Sequence, residues 1–353
     1  RRKLYRLYRQ LETGHLPTVT FGELGTDISI VDETLPPRRV KRPTEERALS
    51  RCWMVTPHWF RIRRALLEKE SGLKLGEFSI GYSPERINPG DKEHSIDKIY
   101  KIVSACNSET TEKLARIYGK ITRVYKVTSI KTAEAAKVIE NIQRDINIAL
   151  FNELATLFDT MKIDAKEVFD AAATKWNFYR FYPGLVGGHC IPVDPYYLAH
   201  KAQEIGHIPE LLLAGRRVNE NLPSFIAQKT IKLLINTGKS LKNARILIMG
   251  ATYKENVPDL RDSKVRNLIY ELRGFGLGGI QIYEPLVKRD KIFNIKNKEP
   301  QGRFDVLIYA VNHEKFKNIK VTSLLSKNGI FIDIKRAFDK EEIEDKGFIY
   351  WGL

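Results

Sequence analysis

From residue 66 onward, apolar and polar positions recur in periods that define elements. Between Lys131 and Met161, Ala133, Ala136, Ile139, Ile142, Ile146, Ala149, Leu150, Leu154, Leu157 and Phe158 keep a 3.6-residue repeat, which predicts one long helix. Shorter helices are predicted over 109–119, 164–173, 195–204, 210–221 and 224–237, and Gly238 with the following Lys-Ser reads as a linker. Phe78–Tyr82 reads as a short buried strand, and 121–127 is β-prone. Beyond Ala244 the pattern changes. Buried strands over 245–250, 280–283, 305–311 and 330–334 follow one another, with a helix over 263–272 after the first. Strands alternating with helices imply a parallel, doubly wound sheet, with ligands beyond the carboxyl ends of its strands. The fold class is therefore α/β in the C-terminal half, with a helical middle.

The first 64 residues do not share this patterning. They hold 12 Arg and 2 Lys, whereas residues 78–353 hold 14 Arg and 29 Lys. No sustained period runs through them. They read as a poorly ordered arm, a non-native fusion or an out-of-frame translation, and a chain that opens on Arg rather than Met fits a fragment. The formal net charge of +16 admits nucleic acid, a membrane surface or an anionic small molecule as partner. The basic residues are dispersed and no nucleic-acid-binding signature accompanies them, so neither a nucleic acid nor a membrane is expected, and a phosphate-bearing substrate accounts for part of the charge. No apolar run reaches the ~18 residues of a membrane span and no signal-peptide pattern opens the chain. Cys52, Cys106 and Cys190 are too few and too scattered for a disulfide framework or a metal site, which points to a reducing cytoplasm and no metal.

The candidate chemistry centres on Gly187-Gly188-His189-Cys190-Ile191-Pro192-Val193-Asp194-Pro195. A cysteine in a tight turn, with a carboxylate four residues on to order water, suits covalent catalysis on a carbonyl. A buried structural thiol is the alternative. Gly187 and Gly188 allow a close backbone approach, here expected toward a substrate. Lys137 and Asn141 are four apart and share a face of the long helix, either as an exposed polar face or as a functional pair. Lys254 and Arg261, in the loop after the 245–250 strand, are placed to meet a phosphate unless that loop is merely solvated. Gly274-Phe275-Gly276-Leu277-Gly278-Gly279 sits between a helix and a strand, so it reads as a turn and not as a dinucleotide fingerprint, and nothing else in the chain supplies one.

Five segments, FSIGYSPERINPGD, KTAEAAKVIENIQRDINIALFNELA, KWNFYRFYPGLVGGHCIPVDPYYLAHKA, AGRRVNEN and GATYKENVPDLRDSK, together resemble the UDP-sugar 6-dehydrogenases. They are most similar to the branch acting on UDP-N-acetylglucosamine or UDP-N-acetylgalactosamine in bacterial polysaccharide and capsule synthesis. The resemblance implies an NAD-dependent oxidation of a primary alcohol to the acid through a Cys thiohemiacetal and thioester. It also implies a homodimer built on the long helix. By the same resemblance Cys190 would be the nucleophile, Lys137 and Asn141 the oxyanion donors, Asp194 the group that orders water, and Glu85 the general base of thioester hydrolysis. Lys254 and Arg261 would contact the UDP-sugar, Gly187 and Gly188 would shape the turn at the sugar, and Arg216 would also reach the substrate, with a route across a dimer interface left open. The expected organisation is an anomalous Arg-rich segment over 1–65, a remnant of the NAD-binding Rossmann domain over 66–127, a central helical dimerisation domain over 128–238 and a UDP-binding Rossmann-like domain over 239–353. The family's opening strand and glycine loop are missing, so the alternative is an inactive UDP-sugar-binding and dimerisation fragment without a working NAD site.

Overall fold

The computed structural model describes residues 28–32, 68–69, 72–74, 76–88, 91 and 93–353. The chain forms two compact units, Arg1–Asn141 with Tyr197–His207, and Ile142–Tyr196 with Ile208–Leu353. The expectation of an ill-ordered or foreign segment over 1–64 lies outside the described residues except at β1 (Ile28–Asp32). There the residues form a strand.

In the first unit β1 pairs in parallel with β2 (Ser79–Ser83), β2 runs antiparallel to β3 (Lys101–Ala105), and β3 is parallel to β4 (Val124–Lys126), giving the order β1-β2-β3-β4. Helix α1 (Ser108–Tyr118) starts on Asn107, whose side chain accepts from the Thr110 N–H. Its Leu114 and Tyr118 pack with Val103 and Ala105. Helix α2 (Ile130–Met161) is the long helix expected from the period.

The second unit holds α3 (Ala165–Ala172), capped by Asp164, then α4 (Asp194–Glu204), whose first residues belong to this unit, and α5 (Glu210–Asn236). The two helices predicted over 210–221 and 224–237 are one. Pro223 lies inside α5 and removes a backbone donor, but it is buried beside Leu222, Ile226 and Ala227, and that packing carries the helix through. A five-stranded, wholly parallel sheet follows, made of β5 (Arg245–Met249), β6 (Gly279–Tyr283), β9 (Phe304–Tyr309), β10 (Leu325–Asp333) and β11 (Ile349–Gly352) in the order β11-β10-β9-β5-β6. The short hairpin β7 (Lys291–Ile292) and β8 (Ile295–Lys296) lies between β6 and β9, α6 (Lys264–Gly274) between β5 and β6, and α7 (Lys340–Glu344) between β10 and β11.

Both faces of this sheet are buried, which explains its near-continuous apolar strands. Ile246, Ile248, Val306, Ile308, Ile330 and Ile332 face one core with Leu222, Ile226 and Leu234 of α5 and Leu268 and Leu272 of α6. Leu247, Met249, Leu307, Tyr309 and Phe331 face the other, against Phe316, Ile343 and Tyr350. The first core also takes in Phe151, Ala155 and Phe169. Residues 142–196 and 208–236 of the expected helical middle therefore share a core with the sheet, and Gly238 forms a turn directly after α5.

Candidate active site

Numbered within the sheet, the strand order is 2-1-3-4-5, so it reverses between β5 and β9, and ligands of such sheets bind beyond the carboxyl ends at that point. A cleft of about 210 Å³ lies there. It is lined by Thr252, Tyr253, Lys254 and Glu255 after β5, Ala310 and Val311 after β9, Lys335 after β10, and Ser263, Lys264 and Val265 at the start of α6. Gly250 (φ +86°) makes the exit from β5 possible, since a Cβ there would meet the Val311 Cβ at 2.5 Å. Ser263 caps α6 by accepting from the Val265 N–H, so that helix presents its N-terminal amides and the positive end of its dipole at the cleft. Lys254, Lys264 and Lys335 stand on its walls with Glu255, which lies 3.8 Å from Lys335, while Lys264 pairs with Glu220 outside the cleft, so the lining carries an excess of positive charge.

The cysteine turn is fastened to the same loop. Gly187 lines the cleft, and a Cβ on it would sit 2.8 Å from the Asp262 carbonyl oxygen and 3.0 Å from the Tyr253 Cβ. A Cβ on Gly188 (φ +93°) would sit 2.9 Å from the Tyr253 ring. A close approach to Tyr253 and the Asp262–Ser263 backbone therefore demands glycine at both positions. Two residues on, the carbonyl of half-buried Cys190 accepts from the N–H groups of Val193 (3.0 Å) and Asp194 (2.9 Å), closing the turn that leads into α4. Cys190 therefore sits one turn before a helix, where the dipole favours an anion such as a thiolate. Asp194, the first residue of α4, is fully buried. Burial raises the Tyr253 phenol, and Asp259 and Cys190 add to that shift, which puts Tyr253 within electrostatic reach of the thiol.

Other expected residues fall elsewhere. Lys254 lines the cleft, but Arg261 does not; its guanidinium is exposed and bonded to Asp259 at 2.6–3.1 Å, in electrostatic range of Cys190. Arg216, expected to reach the substrate, is enclosed within the single chain. It is 1% exposed, its Nη1 donates to Asp145 Oδ1 at 2.5 Å, and its Nη2 pairs with Glu220, which in turn pairs with Lys264. A guanidinium enclosed by two carboxylates is an internal strut.

Glu85, Lys137 and Asn141 belong to the first unit. Glu85 follows β2; its Oε1 accepts from the Ile87 N–H at 2.5 Å, and its Oε2 is buried without a hydrogen-bond partner among the described residues. That loop is pinned by Lys101 Nζ donating to the Pro84 carbonyl at 3.1 Å and by the Arg86–Glu140 ion pair at 2.8 Å. Lys137 is half-buried and Asn141 buried on one face of α2. Sequence reasoning missed Lys335 and Lys264. Lys335 stands just past the end of β10, and the rule that ligands bind at carboxyl ends of strands was signal enough to find it.

Residues 131–221 match the central domain, and residues 247–340 the UDP binding domain, of the UDP-glucose/GDP-mannose dehydrogenase family. Protein CapL of Staphylococcus aureus is 47% identical over 287 residues, spanning 79% of this chain and 68% of that protein. The chain belongs to the UDP-glucose/GDP-mannose dehydrogenase family. The UDP-N-acetyl-D-glucosamine 6-dehydrogenase of Pseudomonas aeruginosa is 45% identical over 288 residues, covering 78% of this chain and 68% of that enzyme. Among solved structures, the UDP-D-ManNAc dehydrogenase of Pyrococcus horikoshii superposes with a TM-score of 0.73 at 27% identity, over 85% of this chain and 71% of that one. The loops after β5 and β9 that wall the cleft fall in the part matched to the family's UDP binding domain, and Cys190, Lys137 and Asn141 in the part matched to its central domain. No helix among the described residues is long and apolar enough to cross a membrane.

Proposed function

We propose that this chain oxidises the C6 alcohol of a UDP-N-acetylhexosamine to the uronic acid, as a step toward capsule or polysaccharide precursors, with NAD as hydride acceptor. The observation that supports the reading is the fastening of the Cys190 turn to the Tyr253 loop, whose residues line the cleft in the part matched to a UDP binding domain. The CapL and UDP-N-acetyl-D-glucosamine 6-dehydrogenase relatives support the substrate class.

The cleft would hold the diphosphate through Lys254, Lys264, Lys335 and the α6 N-terminus. At the aldehyde level the Cys190 sulfur adds to the carbonyl carbon, and the thiol proton leaves as the oxygen becomes the thiohemiacetal hydroxyl. That adduct keeps the aldehyde from escaping. Loss of a second hydride, which NAD would take up, and of the hydroxyl proton to a base turns it into a thioester. Water, deprotonated by a carboxylate, then adds to the thioester and expels the thiolate. Lys137 and Asn141 are proposed as donors to the oxyanions, Glu85 as the base and Asp194 as the group that orders the water. NAD would take up the hydrides. Among the described residues no glycine turn follows a strand and directly opens a helix, and NAD, when bound, would supply only the hydride acceptor.

A homodimer is proposed on the exposed face of α2, where Leu150, Leu157 and Met161 recur at spacings of seven and four and remain about half exposed. The reaction is tested by counting NADH released per UDP-N-acetylglucosamine consumed by the full chain. Two per sugar is expected; a single NADH with free aldehyde, or none, overturns the reading.

A further inference from the structure

The loop that carries Tyr253 and Lys254 into the cleft is gripped from both sides by a buried pair that the proposed chemistry does not use. Glu284 stands just past β6 and His313 shortly past β9, the two neighbours of β5 in the sheet. Both side chains are fully buried. Glu284 Oε2 accepts from the N–H groups of Ala251 (2.9 Å) and Thr252 (3.3 Å) and lies 2.9 Å from His313 Nε2, while Oε1 accepts from the Leu286 N–H at 2.9 Å. At the other end of the loop His313 Nδ1 accepts from the Asn256 N–H at 3.0 Å, and Asn256 Oδ1 accepts from the Glu314 N–H at 2.9 Å. The Asn256 N–H facing Nδ1 assigns Nδ1 as an acceptor, which leaves Nε2 as the donor toward Glu284. Between the anchors, Thr252 Oγ1 donates to the Lys254 carbonyl at 2.8 Å and lies 3.2 Å from His313 Nε2. Asn256 holds φ +58°, a conformation that favours Asn over most residues and that these bonds secure.

The bonds from the pair to the loop reach it at Ala251, Thr252 and Asn256, and the residues between them, Tyr253 to Glu255, line the cleft. Burial alone would push the Glu284 carboxyl up, yet the bonds from His313 and Ala251 hold it below its ordinary value, consistent with a charged acceptor. We propose that His313 and Glu284 are a positioning pair that sets affinity for the nucleoside diphosphate end of the substrate by fixing the path of the loop from Ala251 to Asn256. This rests on the functional reading above.

The test titrates the full chain with UDP by calorimetry and follows amide exchange over 251–256, for wild type, His313→Gln and His313→Asn. Glutamine keeps a donor toward Glu284 but leaves the Asn256 N–H without its acceptor. It is expected to weaken UDP binding about tenfold or more and to speed exchange at Asn256. Asparagine places an oxygen where Nδ1 was and is expected to restore most of the affinity, a rescue that a role in packing alone would not produce. His313→Gln that binds UDP as wild type does, or that leaves exchange at 251–256 unchanged, overturns the proposal. Should neither variant fold, the wild type decides: its Ala251, Thr252 and Asn256 amides must be protected without ligand, and exchange at the rate of an open loop overturns the pair. A wild-type chain that does not bind UDP condemns the functional reading instead, while the exchange data still judge the pair.

Discussion

Asn152 clasps Gly184 at two points: its Oδ1 accepts from the Gly184 N–H at 2.7 Å, and its Nδ2 donates to the Gly184 carbonyl at 3.1 Å. The same Nδ2 donates to Asn219 Oδ1 at 2.8 Å, Asn219 Nδ2 donates to Asp145 Oδ1 at 2.8 Å, and Asp145 pairs with Arg216. All four side chains are buried. The chain of bonds ends on the backbone just ahead of Gly187 and Cys190, so it ties α2 and α5 to the entry of the cysteine turn. Replacing Asn152 with Ala strands a buried N–H and a buried carbonyl, at a cost of about 1–3 kcal/mol for each. Asn152→Ala is expected to lower the unfolding free energy by about 3 kcal/mol and to alter the alkylation rate of Cys190. Denaturant unfolding and thiol labelling check both, and an unchanged labelling rate removes the link to the turn.

Gly188 is the point where the cysteine turn packs directly on the Tyr253 ring. Gly188→Ala adds both a disfavoured φ and a Cβ 2.9 Å from the Tyr253 ring. A cost of about 1–3 kcal/mol is expected, with UDP affinity falling alongside turnover because both sides of the contact must move. Combining it with Tyr253→Ser relieves the contact but not the φ, so partial recovery of stability is expected. Full recovery would mean that the backbone conformation carries no cost.

Acid sensitivity is expected to depend in part on Asp305. Burial raises its carboxyl, but the Lys239 ammonium at 2.7 Å, the Arg245 N–H and the Ser326 hydroxyl outweigh burial and hold it below its ordinary value of 3.8. A lowered folded value means that the stabilisation is present above about pH 3.8 and lost as pH falls through the lowered value. Asp305→Asn is therefore expected to be less stable than wild type at neutral pH, with the gap closing below about pH 4. Thermal unfolding across pH reads this directly, and a gap that stays constant down to pH 2 would count against the assignment.

Much of this architecture was legible because its signals are local. The ten apolar positions of α2 and the doubly buried runs of β5, β9 and β10 announce themselves within a few residues. Pro223 misled for the opposite reason: whether a helix survives a proline depends on what buries it. The strand at Ile28–Asp32 lies in a segment whose composition sets it apart, and its partner β2 is some fifty residues away in the chain. Among the site residues, Cys190, Lys254 and the glycine pair could be found from their neighbours in sequence. Arg216 could not be judged that way, since its fate is set by Asp145, 71 residues distant. Nor does any pattern bring His313 to Glu284, because only the strand order makes them neighbours.

The most direct test of the account is product analysis of Cys190→Ala with UDP-N-acetylglucosamine and NAD, beside the wild-type chain. UDP binding is expected to stay within about twofold of wild type, because Cys190 is not a wall of the cleft, and formation of the uronic acid to be lost. Uronic acid from Cys190→Ala at a rate near that of wild type would contradict it, since the sulfur would then form no bond that the reaction needs.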